Sequence, residues 1–302
     1  MQKLFVKFGL ISGVLFSFLI FVSSYGHEPS TDETVVAPLP QVVRAPNIDK
    51  QFEWAGEPVP MTADAKERLD MELLSNSYYH SSTLQYLKRA NRYFPVMEKI
   101  LLENGVPDDF KYLAVAESGL LNVTSPADAK GFWQFRKLAA KEQGLEVNKE
   151  VDERYHLEKA TQAACNYLKW LKNKFGTWTD ASAAYNVGPT AYKRQMKAQK
   201  ESNYYDMNLN RETSRYLFRL IAIKEIMSNP RDFGFILQEE ELYPEMDDYY
   251  LVEVAESVEN WGDFAHEYGI SYRELKRYNP WLRDNHLTVI KNKYQIKIPK
   301  EQ

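Results

Sequence analysis

From about residue 51 to residue 229 apolar residues recur at intervals of three and four. Leu168, Leu171 and Phe175 form one such series, and Tyr216, Leu220, Ile223 and Met227 another. That spacing lays an apolar stripe along one helical face, and strict alternation is scarce here, so the pattern predicts a helical domain over 51–230. The pattern stops at Asn229-Pro230, where the proline restricts the residue before it. An acidic stretch follows, Gln238-Glu239-Glu240-Glu241 and then Glu245-Met246-Asp247-Asp248, and 231–248 reads as a linker. Residues 250–254 then alternate like a strand. Ser257 is expected to cap a helix whose apolar face is Val258, Trp261, Phe264, Ala265 and Tyr268, with Gly269 ending it. Ser271 and Glu274 form a capping box that opens a second short helix carrying Leu275 and Tyr278, which Asn279-Pro280 closes. Residues 294–299 alternate again, so 249–302 is predicted to be a small β-α-α-β unit beside a mainly α domain.

The first seven residues carry Lys3 and Lys7, and an uncharged apolar run from Phe8 to about Val22 leads to the small residues Ser24 and Gly26. This is the layout of an export segment over 1–26, either a cleaved signal peptide or a retained anchor that attaches the chain to a membrane. Residues 27–50 are polar and dotted with Pro29, Pro38, Pro40 and Pro46, a flexible linker. These features direct the chain to the periplasm or cell envelope. With 38 Lys+Arg against 42 Asp+Glu the charge nearly balances, which argues against nucleic acid as a partner. The single cysteine, Cys165, excludes an internal disulfide framework and reads as a small buried hydrophobe.

The five histidines (His27, His80, His156, His266, His286) have no metal-ligand spacing, and neither a Gly-x-Ser-x-Gly elbow nor a glycine-rich phosphate loop is present. No metal site and no organic cofactor is expected, so chemistry falls to carboxylates. One is singled out by its place. Asp108 after Pro107 is expected to cap a helix that Gly119 stops, and on its apolar face Phe110, Leu113 and Ala114 lead to Glu117. A carboxyl on an inward helix face loses hydration, and its pKa rises toward the range a general acid needs. The competing readings of Glu117 are a buried ion pair and a place at a frayed helix end.

Around Glu117 several blocks fall in order: Glu117-Ser118-Gly119, then Ser125-Pro126, then Gly131-Phe132-Trp133-Gln134-Phe135, then Ala184-Tyr185-Asn186 with Gly188, then Tyr216 in a late helix. Together they resemble the soluble-lytic-transglycosylase domain, shared by bacterial lytic transglycosylases and goose-type lysozymes. Asp152, Arg154 and Tyr155, continuing to Lys159-Ala160-Thr161, resemble the membrane-bound D-type branch of that family, which joins the domain to C-terminal LysM modules. The unit over 249–299 itself resembles a LysM module, a fold that binds glycans containing N-acetylglucosamine. It departs from that family at Ala255-Glu256-Ser257, where Gly-Asp-Thr is usual. Two further departures are Arg136-Lys137 after the glutamine block and Gly188-Pro189 after Asn186.

The resemblance implies a lysozyme-like helical catalytic domain with Glu117 as the sole acid/base. It implies that Gln134 lines the cleft, that Tyr185 and Asn186 contact substrate, and that Tyr216 lies near Glu117. Read from the residues alone, Gln134 equally caps a loop, and Tyr185 is equally a core aromatic with its hydroxyl tied to backbone. Tyr216 shares a face with Leu220 and Ile223. Ser118 and Ser125 either orient Glu117 or the sugar, or serve as helix-end and turn residues. Glycan strands of peptidoglycan are the implied substrate. Hydrolytic glycosidases use a second carboxylate, and the acid these blocks offer is Asp128, in a turn expected to face solvent. With one carboxylate the consistent chemistry is intramolecular, leaving 1,6-anhydromuramic acid ends. A lysozyme-like hydrolase and a non-catalytic wall-binding scaffold are the alternatives.

Overall fold

The computed structural model describes residues 44–300, so the predicted export segment and most of the 27–50 linker lie outside the described residues. The first elements are a short antiparallel hairpin, β1 (Glu53–Trp54) and β2 (Glu57–Pro58). Helices α1 (Ala63–Ser77), α2 (His80–Glu103), α3 (Lys111–Ser118), α4 (Lys137–Glu142), α5 (Leu157–Phe175), α6 (Trp178–Val187), α7 (Pro189–Gln199) and α8 (Arg211–Ser228) follow. Their starts are set by short polar side chains that take a free backbone N–H. Thr62 accepts from Ala65, Thr177 from Asp180, and Asn210 from Thr213.

The predicted apolar series pack as expected. Leu168 and Leu171 on α5 and Tyr216, Leu220 and Ile223 on α8 are buried, and Asn229 ends α8. Helix α8 is central, packed against α1, α3 and α6. Each of its fully buried side chains, such as Leu217, Phe218 and Leu220, stabilises the fold by roughly 1.5–3 kcal/mol. Cys165 is buried as expected, and loss of hydration pushes its thiol up to about 12.

The segment before α2 is woven into this core. Trp54 Nε1 donates to Ser182 Oγ at 2.9 Å, and the Glu57 carboxylate accepts from the backbone N–H groups of Trp178 and Thr179 at 2.7 and 2.9 Å. An anion at the N-terminus of α6 is favourably placed against the helix dipole.

Strand β3 (Tyr249–Val254), helices α9 (Trp261–Glu267) and α10 (Tyr272–Tyr278), and strand β4 (Tyr294–Pro299) form the β-α-α-β unit that the pattern predicts. The strands run antiparallel with Tyr249 opposite Pro299 and Val254 opposite Tyr294. The capping box of Ser271 and Glu274 is present. The first helix corrects the expectation at Ser257: α9 starts at Trp261, and its cap is Asn260, which accepts from Gly262 N. The cause is long-range. Val258 is engaged in a bridge with Leu287, and Ser257 Oγ accepts from Val289 N at 3.0 Å, so the chain is still extended there.

This unit shares its core with the helical part. Val151 and Tyr155, from the loop before α5, are buried among Trp261, Leu275, Trp281 and Ile296. Val151 bridges Leu282, Asp152 N donates to Trp281 O at 2.9 Å, and Arg283 N donates to Glu150 O at 2.7 Å. The acidic segment is strapped to α2, where Tyr243 N donates to Lys88 O, Asn91 Nδ2 to Tyr243 O, and Arg92 Nε to Pro244 O.

Candidate active site

Helix α3 delivers Glu117. Phe110 in the turn before it and Leu113 and Ala114 within it are buried as expected, but Lys111, Tyr112 and Val115 are buried as well, so the helix is enclosed on all sides until its half-buried last turn, which carries Glu117. The start differs from the expectation: residues 108–110 are a 3-10 turn in which Asp108 caps nothing, because its carboxylate pairs with Lys111 at 2.5 Å. The end agrees. Gly119 turns left-handed at φ 60°, and a Cβ there would sit 2.8 Å from the Tyr86 ring. The Gly119 carbonyl accepts from Arg89 Nη1 at 2.9 Å, so α2 braces the turn that follows Glu117.

Around the Glu117 carboxyl, burial is the dominant influence and pushes its pKa up from 4.5 to about 7. The Tyr216 hydroxyl donates to Oε1 at 2.5 Å and opposes that rise, as does the charge of Arg219, while Glu212 reinforces it. All three come from α8, where Glu212, Tyr216 and Arg219 are spaced by four and three and so share a face. Arg219 forks onto Glu212, with Nη1 to Oε1 at 3.0 Å, and also faces the fully buried Glu72 of α1, with Nε at 3.7 Å from Oε2. Glu72 binds Arg215 as well.

The remaining candidate residues divide by what their polar atoms do. Tyr185 donates to Trp133 O at 2.6 Å, and burial together with the Glu117 charge keeps its phenol protonated. Asn186 Oδ1 accepts from Thr213 Oγ1 at 3.1 Å, which ties α6 to the first turn of α8. Ser118 Oγ donates to Ala114 O and Phe132 O at 3.0 and 2.9 Å, linking α3 to the loop that carries Gln134. Gln134 itself is left-handed at φ 48°, and its Nε2 donates to Gly131 O at 2.8 Å and Val123 O at 3.2 Å. Ser125 closes its own turn by accepting from Ala129 N at 3.1 Å. Glu117, Tyr185 and Tyr216 are thus brought together, with Ser118, Gln134 and Asn186 in the framework beside them, while Ser125 serves the adjoining turn.

That loop is strained and held from behind. Leu120, Asp128 and Gln134 all have positive φ without being glycine, at a cost on the order of 1–3 kcal/mol each. The Arg154 guanidinium holds the loop by donating through Nη1 to Asp128 O and Phe135 O, both at 3.2 Å, while its fork pairs with buried Asp152 at 2.7 Å. Gly131 passes so close to this strut that a Cβ would lie 1.8 Å from the Arg154 carbonyl oxygen.

Asp128 faces solvent as expected, 67% exposed and 3.4 Å from Lys130. The carboxylate whose charge Glu117 feels is instead Glu212, and Glu212 is engaged by Arg219. Sequence reading missed Glu212, Arg219 and Glu72. The signal for the first two was present, since Glu212 and Arg219 flank Tyr216 at helical spacing, but nothing local points to Glu72. Among the described residues no cluster of His, Cys, Asp and Glu is arranged to hold a metal ion.

The helical part and the β-α-α-β unit each match a protein family. Residues 96–208 match the transglycosylase SLT domain, and residues 250–302 match the soluble lytic transglycosylase C-terminal LysM-like domain. Helix α8, with Tyr216, lies beyond the first of these stretches. Over 249 residues the chain is 26% identical to membrane-bound lytic murein transglycosylase D of Escherichia coli K12, a match that covers 80% of this chain and 53% of that protein. The protein of the same name from Escherichia coli O6:H1 matches to the same extent. The chain spans about half the length of the curated relatives it matches.

Proposed function

We propose that this chain is a peptidoglycan lytic transglycosylase that cleaves the β-1,4 bond between MurNAc and GlcNAc, with Glu117 as its single general acid and base. The observation that carries the reading is a carboxyl raised to about 7 by burial and held by the Tyr216 hydroxyl. Protonated, Glu117 donates to the glycosidic oxygen as the bond to C1 breaks, and the substrate's 2-acetamido group supports the cation that develops. The Glu117 carboxylate then accepts the proton of the muramic acid 6-hydroxyl as that oxygen closes onto C1. The product is a 1,6-anhydro end, and no water is consumed. Tyr216 donates to the carboxylate through this cycle and limits the penalty of a buried charge.

A hydrolase on the same fold needs a second carboxylate free to direct water. Against it stand the pairing of Glu212 with Arg219 and the exposure of Asp128. Gln134, Tyr185, Asn186 and Ser118 are assigned to substrate contact and to the shape of the cleft, and Ser125 to the turn beside it. Glycan strands as substrate, and the periplasm or cell envelope as location, are part of the same proposal, with residues 1–26 as the export segment or membrane anchor. No helix among the described residues is long and apolar enough to cross a membrane.

Glu117→Gln tests the assignment, since it keeps the volume and the hydrogen bond from Tyr216 but removes the ionisable proton. Release of muropeptides from purified sacculi is expected to fall by a factor of about 10³ or more, in line with loss of an essential acid and base. A variant that is folded by circular dichroism and cleaves at the wild-type rate would show the acid to be misassigned.

A further inference from the structure

Glu72 is a buried charge that the proposed reaction does not use. It lies on α1, 1% exposed, where α1 packs against α8. A carboxylate is rarely buried to this degree unless cations pair with it, because the lost hydration has to be offset. Here two arginines meet it. Arg215 Nε binds Oε1, and Arg219 Nε lies 3.7 Å from Oε2. Arg215 and Arg219 are four positions apart on α8, so one side of that helix presents both guanidinium groups to the same carboxylate.

The Arg219 guanidinium faces two ways. Its Nε is turned to Glu72, and its Nη atoms fork onto Glu212, with Nη1 3.0 Å from Oε1 and Nη2 3.4 Å from Oε2. The group is planar, so fixing one edge fixes the direction of its remaining donors. Glu212 is the outer member of the series: its side chain is 59% exposed, and it lies one turn before Tyr216, whose hydroxyl holds Glu117. A carboxylate open to water and beside the acid is what a hydrolytic glycosidase uses to direct an attacking water. The fork of Arg219 engages both of its oxygens. Glu72 thus orients Arg219, Arg219 engages Glu212, and water is left without a base.

We propose that Glu72 is a positioning residue that decides whether C1 is closed by the muramic acid 6-hydroxyl or by water: by holding Arg219 on Glu212 it withholds the general base that hydrolysis needs. The proposal rests on the transglycosylase reading above. With the hold released, Glu212 takes a proton from water as the water oxygen bonds to C1, while Glu117 gives its proton to the departing glycosidic oxygen. One water is consumed, and the new end is a reducing MurNAc in place of a 1,6-anhydro end.

The test digests purified sacculi with the full chain carrying Glu72→Gln, which keeps the shape and an acceptor oxygen but removes the charge. Mass spectrometry reads the share of reducing MurNAc ends against the wild-type digest. General-base help is worth a factor of about 10²–10⁴, so that share is expected to rise about tenfold or more. Arg219→Met releases Glu212 directly and is expected to give the same rise should Glu72→Gln fold poorly. Adding Glu212→Gln to either variant is expected to return the share to the wild-type level. A slower digest with an unchanged share is what a purely structural role gives, and it overturns the proposal while transglycosylation stands. A rise that persists without the Glu212 carboxylate overturns it as well. Reducing ends already dominant in the wild-type digest overturn the transglycosylase reading itself.

Discussion

Replacing Glu117 by glutamine should make the protein more stable at alkaline pH. In the fold the carboxyl titrates at about 7, against an ordinary value of 4.5, and each unit of such a difference corresponds to about 1.4 kcal/mol. The rise of roughly 2.5 units therefore amounts to about 3 kcal/mol. Because the folded state holds its proton more tightly than the unfolded chain, this stability is fully present below about pH 4.5. It is lost as pH rises to about 7, and above that the folded protein carries a buried charge at the full cost. Glutamine never ionises and keeps the acceptor for the Tyr216 hydroxyl. Urea unfolding of both proteins at pH 4 and pH 9 should give a difference that opens by about 3 kcal/mol in favour of the variant. An unchanged difference at the two pH values would mean that Glu117 is not desolvated, and the argument for a poised acid would fail.

Two further substitutions probe the surroundings of Glu117. Tyr216→Phe removes the donor that favours the carboxylate, so the alkaline limb of the pH-rate profile should move upward from about 7 while the rate falls roughly tenfold or more; a limb that stays in place or moves down contradicts the pairing. Gly131→Ala puts a Cβ against the Arg154 carbonyl at a backbone φ of 78°, and urea unfolding should show a loss of roughly 3 kcal/mol or more, where a change within experimental error would mean that the loop is not braced there.

Much of this architecture was legible because it depends on periodicity. The series on α5 and α8, the capping box at Ser271 and the turn at Gly119 are local signals, and each appears where the pattern places it. The misplaced details are those in which a distant partner competes. Ser257 has the right chemistry for a cap, but Val289 claims its hydroxyl and Asn260 lies nearer the helix. Asp108 likewise yields to the ammonium of Lys111.

In the candidate site, Glu117 stood out because it interrupts an apolar helix face. The motif order brought in Tyr216, and its contact with Glu117 spans 99 positions of chain, beyond the reach of spacing arguments. Glu72, which anchors Arg215 and Arg219, reads in sequence as one more solvated acid on an amphipathic helix, and only packing of α1 on α8 makes it buried. The core that Val151 and Tyr155 share with the C-terminal unit was hidden for the same reason.

The central claim is that a single carboxyl cleaves the glycan without water, and the sugar ends of the product carry the answer. Purified sacculi digested with the wild-type protein should release muropeptides ending in 1,6-anhydromuramic acid, lighter by one water than reducing ends, as read by mass spectrometry. A digest dominated by reducing MurNAc ends would contradict the account, establish hydrolysis, and direct attention to Glu212 as the second acid.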